Sequence, residues 1–259
     1  VTPAPAAALV ATLVCAVASA AADELVLAPV ADASIYGGPG LDNTADGAGP
    51  HLWSSNTAGG FTRRTLLRFD LGGVPAGAVV RGVQLTLVQS RTLAAHEVRM
   101  HRVLASWSEG PANAGSSGSG AQAQAGDVTW LRRVHPSLSW TAPGGDYAAA
   151  ASAARLVGTD PVPYTWGSTP GLVADVQGWL ADPVSNHGWI LIGDEVGDRQ
   201  GKRFESRENV TAANRPRLVV VYDPPPPVAA ATGDVPLPPW ALALFGLGLA
   251  GLVMRRRTA

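Results

Sequence analysis

The chain has 259 residues, a formal net charge of −1, 46% hydrophobic residues and a single cysteine, Cys15. Near-neutral charge, with Lys202 the only lysine among mostly arginine cations, argues against a nucleic-acid partner. Because Cys15 lies in an N-terminal apolar stretch, the rest of the chain has no disulfide staple, thiolate metal site or cysteine nucleophile, and its fold must rest on its own core.

Residues 1–22 read as a secretory signal peptide. An apolar core over Ala6 to Ala18 is followed by small residues that fit an A-x-A cleavage pattern, at Ala18-Ser19-Ala20 or Ala20-Ala21-Ala22. Residues 23–223 carry short strand-like segments separated by Gly, Pro, Asn and Asp clusters, the rhythm of a β-sandwich. The clearest predicted strands are Thr65 to Leu71, Val79 to Val88, Glu97 to Val103, Trp189 to Ile192, Lys202 to Arg207 and Arg217 to Tyr222. In the first, Leu67, Phe69 and Leu71 share one face, opposite Leu66, Arg68 and Asp70. Gly110 to Gly126, rich in Gly, Ser, Ala and Gln, reads as a flexible loop. Leu172 to Leu180 has helical spacing of Leu172, Val176, Trp179 and Leu180, which predicts one short helix.

Residues 224–234, with four consecutive prolines across the boundary at 224–227, read as a stiff linker. Residues 235–259 read as a membrane and sorting segment. Val235 to Met254 is uncharged, about the length of a transmembrane helix, and Arg255-Arg256-Arg257 closes it on the side expected to stay cytoplasmic. The G-x-G-x-x-G match at Gly246 to Gly251 falls inside this apolar run, away from any strand–turn–helix context, so it predicts no dinucleotide site.

Catalytic signatures are absent. There is no G-x-S-x-G elbow. His96-Glu97 is followed by His101, one position too late for the zinc motif H-E-x-x-H, and the segment alternates like a strand, with Glu97, Arg99 and His101 on its solvated face. Glu109, Asp146, Asp175, Glu195, Glu205 and Glu208 are available carboxylates, but no motif singles out a pair for glycoside chemistry. The chain is therefore expected not to be an enzyme.

Binding chemistry is better represented. Trp179 and Trp189 fit the core by periodicity, whereas Trp53, Trp130, Trp140 and Trp166 lie near loops and are candidate stacking platforms for sugar rings. Strand alternation sends Arg68, Arg99, His101, Arg203, Glu205 and Arg207 opposite their apolar neighbours. Two outcomes are open: a basic face whose guanidinium forks bind uronate carboxylates, or a charge network in which Arg68, Glu205 and Arg207 pair with one another. Asp32, Asp42, Asn43 and Asp46 offer hard oxygen ligands for a structural calcium.

The ordered residues Asp32-Ala33, Arg64 to Leu71, Val74-Pro75 before Val83 to Leu87, Trp107-Ser108-Glu109, Gly145-Asp146, Asp175-Val176-Gln177 with Trp179, Asn186 to Trp189, Phe204 to Glu208 and Pro216 to Tyr222 resemble the DNRLRE domain. That domain is related to the disaggregatase repeats and to family 96 of the carbohydrate-binding modules. The C-terminal order of proline motif, short apolar helix and arginine cluster resembles the PEP-CTERM sorting signals of Gram-negative bacteria, with Val-Pro-Leu-Pro-Pro in place of Val-Pro-Glu-Pro. The resemblance implies an all-β, jelly-roll-like antiparallel β-sandwich with one short helix, a polysaccharide ligand, a sorting protease and a membrane partner at the C-terminal helix. The expected function is a non-catalytic cell-surface module that binds polysaccharide, with a structural or adhesive role as the alternative and a polysaccharide lyase or hydrolase as the third.

Overall fold

A computed structural model describes residues 22–226. The expected signal peptide, most of the linker and the C-terminal membrane segment lie outside the described residues. Among those described, no helix is long and apolar enough to cross a membrane.

The chain forms an antiparallel β-sandwich. Its strands are β1 (Asp23–Leu27), β2 (Pro29–Gly37), β3 (Thr44–Asp46), β4 (His51–Thr57), β5 (Phe61–Phe69), β6 (Val79–Thr92), β7 (His96–Val103), β8 (Ala121–Gln122), β9 (Arg132–Val134), β10 (Leu138–Ser139), β11 (Tyr147–Val157), β12 (Pro163–Trp166), β13 (Trp189–Ile192), β14 (Lys202–Glu205) and β15 (Arg217–Asp223). One layer runs β1-β15-β6-β12; the other is built from β11, β7, β13, β5 and β2, with β3 and β8 at its margin. Strand β14 pairs with the distal end of β6 on one side and with β4 on the other, and the end of β4 then pairs with β5. The two layers are thereby joined at one corner. Ser55, where β4 changes partner, has φ 73°, a conformation that non-glycine residues adopt only where the surrounding structure holds them.

Alternation fills the space between the layers. Leu67 and Phe69 of β5, Val83, Leu85 and Leu87 of β6, Val98 and Met100 of β7, and Leu218 and Val220 of β15 belong to one buried cluster. The aromatic members satisfy their polar atoms as they pack: Trp166 Nε1 donates to Val98 O at 2.9 Å and Trp189 Nε1 to Asp175 Oδ2 at 2.8 Å. Helix α1 (Pro170–Ala181) closes one opening of this core with Leu172, Val176 and Trp179. Its start follows from Thr169, whose side chain accepts from Leu172 N, and from Pro170, which lacks the N–H that the first turn would leave unpaired.

The opposite face of the larger layer is not open to solvent. Ala31, Ala33 and Ile35 of β2, Leu66 of β5 and Ile190 of β13 form a second core with Trp107, Val128 and Trp140 from the long segment between β7 and β11. This corrects the expectation of a loose Gly110 to Gly126 loop. Ala112 is fully buried and its carbonyl accepts from Gly47 N and Ala48 N, while β8 pairs with β3. The small residues of the tract let its backbone lie close against the sheet: Gly118 packs on the Trp53 ring, and a side chain at Gly47 would run into the Glu109 carbonyl.

Candidate functional site

The six residues expected on one basic face are separated by the fold. Arg68 is half-buried, its guanidinium 5.7 Å from the Trp107 ring. Arg99 is exposed and donates to Glu97 Oε1 at 2.8 Å. His101 corrects the solvated-face expectation: β11 covers it, with Nδ1 2.9 Å from Ala148 O and the Tyr147 ring packed on it edge-on. Glu205 is buried, 3.1 Å from His51 Nδ1, and accepts from Asn209 Nδ2. Arg207 does enter a charge network, but with partners other than Arg68 and Glu205. Its Nε and Nη2 donate to both oxygens of Glu109 at 2.8 Å, and Nε also lies 2.8 Å from Glu208 Oε1. Alternation holds for Arg99 and Arg203, but it carries no information on what the long loop, β11 and the turn after β14 bring over the other four.

Arg203 is the exception, and it belongs to a row the sequence does not reveal. Across three neighbouring strands, Trp53 of β4, Arg203 of β14 and Arg91 of β6 are direct cross-strand partners. Like charges placed opposite each other on a sheet destabilise it. Burial lowers the Arg203 pKa; Glu205 opposes this, and the charge of Arg91 adds a smaller push downward. Beside this row lies a cleft of about 360 Å³ lined by Trp53, Arg63, Arg91, Leu93 and Arg199, with Gly118 and Ser119 of the covering segment at its rim. No carboxylate lines it. Arg63 is fixed in its wall, donating to Gly118 O, Thr57 Oγ1 and Phe61 O, whereas Arg91 and Arg199 are exposed. Arg91 was hidden because the apolar alternation of β6 ends at Val88; the strand continues four residues further on polar side chains.

Of the four loop tryptophans, Trp166 and Trp140 are core residues and cannot serve as platforms. Trp130 is half-buried beneath Arg64, whose guanidinium lies 4.7 Å from its ring. Trp53 lines the cleft but is only 6% exposed. The cleft therefore offers guanidinium groups more than ring faces.

The residues expected to hold calcium do not converge either. Asp42 Oδ1 accepts from Gly38 N at 3.0 Å and so shapes a turn, while Asn43 is exposed. Asp46 Oδ1 accepts from Ala114 N at 3.0 Å, and its carboxyl is raised to about 6 by burial. Asp32 is 1% exposed and meets two acids from distant sequence, Glu109 and Glu208, with one oxygen from each of the three within 4.8 Å of the others. Burial and the neighbouring Glu208 push the Asp32 carboxyl well above its ordinary range, and burial likewise raises Glu208. Burial works against the Arg207 charge, but the fork to Glu109 prevails and holds its pKa above the usual value.

Neither the known protein-family models nor the curated protein sequences contain a match to this chain.

Proposed function

We propose that this chain is a non-catalytic binding module of an exported bacterial surface protein, and that it binds an acidic polysaccharide through the cleft beside Arg91 and Arg203. The observation that carries the reading is a cleft lined by Arg63, Arg91 and Arg199 and by no carboxylate, with Arg203 directly opposite Arg91 on the adjacent strand. Such a cluster is stabilised by an anionic ligand, and guanidinium forks match the planar carboxylates of uronate residues. The jelly-roll-like organisation and the resemblance to the DNRLRE domain support a carbohydrate ligand. The resemblance of the tail to a sorting signal supports attachment at the envelope, with a sorting protease and the membrane as partners.

The test is binding of the purified protein to immobilised polygalacturonate, alginate and a neutral glucan, for the wild type and for Arg91→Ala. Retention on the acidic polymers, lost at high salt and weakened about tenfold by Arg91→Ala, is the expected result. Equal retention on neutral and acidic polymers would reject the acidic ligand, and no binding to either would favour a structural or adhesive role.

A further inference from the structure

Three acids are gathered at the junction of β2, the segment after β7 and the turn after β14: Asp32, Glu109 and Glu208. Their hydrogen bonds account for only part of their charge. Glu109 Oε1 accepts from Asp32 N at 2.7 Å and from Arg207 Nε at 2.8 Å, and Oε2 accepts from Arg207 Nη2. Asp32 Oδ2 accepts from Arg207 N at 2.9 Å. That leaves Asp32 Oδ1 and Glu208 Oε2, both buried and both without a hydrogen-bond donor among the described residues. Buried acceptors are normally satisfied, and a buried carboxylate oxygen is costly to leave bare. One guanidinium faces three carboxylates, so the nest as ionised carries two uncompensated negative charges.

We infer that Asp32, Glu109 and Glu208 form a divalent-cation site whose ligand is calcium. The ligand set is all hard oxygen, which suits calcium or magnesium and not the softer transition metals. Tolerance of geometry favours calcium, which takes about six to eight oxygens in flexible arrangements, whereas magnesium demands a near-ideal octahedron and sheds its waters reluctantly. The three offered oxygens lie within 4.8 Å of one another. Asp32 Oδ1 and Glu208 Oε2 are the free acceptors, and Glu109 Oε2 keeps a lone pair beyond its single bond to Arg207. Glu109 and Glu208 are 17% and 25% exposed, so water can complete the coordination shell from that side.

The site ties together segments that are 77 and 99 residues apart in sequence, and a cation in it would lock the covering segment to the first long strand. The experiment is calorimetric titration of the chelator-treated full chain with calcium chloride and with magnesium chloride, paired with thermal melts. The expected result is one calcium per chain, a rise in Tm with calcium, and weaker binding of magnesium. Glu208→Gln, which keeps the shape and removes one charge from an oxygen that has no protein donor, should weaken calcium binding at least tenfold while the protein remains folded. Asp42→Asn should leave the affinity unchanged. No heat and no Tm change with millimolar calcium would overturn the inference, as would a folded Glu208→Gln variant that binds calcium like the wild type. A Tm that rises on acidification and ignores calcium would also overturn it, assigning a shared proton to the two free oxygens. Loss of binding in Asp42→Asn alone would move the ion to the turn at Gly38 to Thr44.

Discussion

Replacing Lys202 by methionine tests the account of how the two layers are joined. Lys202 is the only lysine of the chain and is fully buried at the corner where β14 bridges β4 and β6. Its Nζ donates to Thr92 Oγ1 at 2.7 Å, Gly158 O at 3.0 Å, Val157 O at 3.1 Å and Ala94 O. Methionine matches the length of the stem and removes every donor. Two of the carbonyls keep a second donor, since Ala94 O also accepts from Thr92 Oγ1 and Gly158 O from Gln89 Nε2. Each hydrogen bond from the charged donor contributes about 1.5–3 kcal/mol, so losing the three N–H groups of the ammonium costs about 5–9 kcal/mol. Against this stands relief of the buried ammonium, whose pKa burial lowers to about 8. That shift from 10.5 offsets about 3 kcal/mol, so the net expectation is a loss of about 2 kcal/mol or more, read as a lower midpoint with unchanged m-value in urea. Native Lys202 should also resist amine-reactive labelling, read by peptide mapping so that the reactive α-amine is told apart from the single lysine. A Lys202→Met protein as stable as the wild type, or more so, would refute the reasoning by showing that burying the charge costs more than its bonds return.

Four further outcomes follow from particular contacts. Arg91→Ala should leave stability within about 0.5 kcal/mol of wild type, or raise it slightly, because it relieves the charge opposite Arg203; a large loss in thermal melts would make Arg91 a structural residue. Arg207→Ala strips Glu109 of its fork and should cost about 2–3 kcal/mol, below the 3–5 kcal/mol typical of a fully buried pair because 37% of the side chain is exposed. His96 is held down to about 4 by burial and then by the charge of Lys202, below its ordinary 6.5, so between these values the unfolded chain binds more protons. Stability should therefore fall as pH drops from 6.5 to 4, by no more than about 1.4 kcal/mol per pH unit, and His96→Gln should flatten that part of the urea-midpoint profile. Gly188 has φ 76° and its missing Cβ would strike the Leu67 carbonyl, so Gly188→Ala should reduce soluble yield and Tm sharply; a normal melt would contradict the packing.

The sequence made the strongly patterned elements legible. Trp189 to Ile192 is found as expected, the helix differs by two residues at its start and one at its end, and Arg217 to Tyr222 gains one residue. Strands buried on both faces were not visible, because burial by two cores removes alternation: β2 is almost wholly buried and is made of small and mixed side chains. The alanine run of β11 carries no strand signal, and its conformation is set by pairing with β7. The same cause limited the site. Alternation placed Arg203 and Arg207 away from the core, but the partner of Arg207 comes from 98 residues away. The Arg91–Arg203 opposition exists only once β14 has docked on β6.

The long strand β6 gives the cleft a reach. Val79, at its start, pairs with Asp223, the last residue of β15, whereas Arg91 stands twelve residues further along, about 40 Å at roughly 3.3 Å per residue if the strand runs straight. The last residue of β15 and the arginine cluster therefore stand at opposite ends of one strand, and a pull between them is borne along β6.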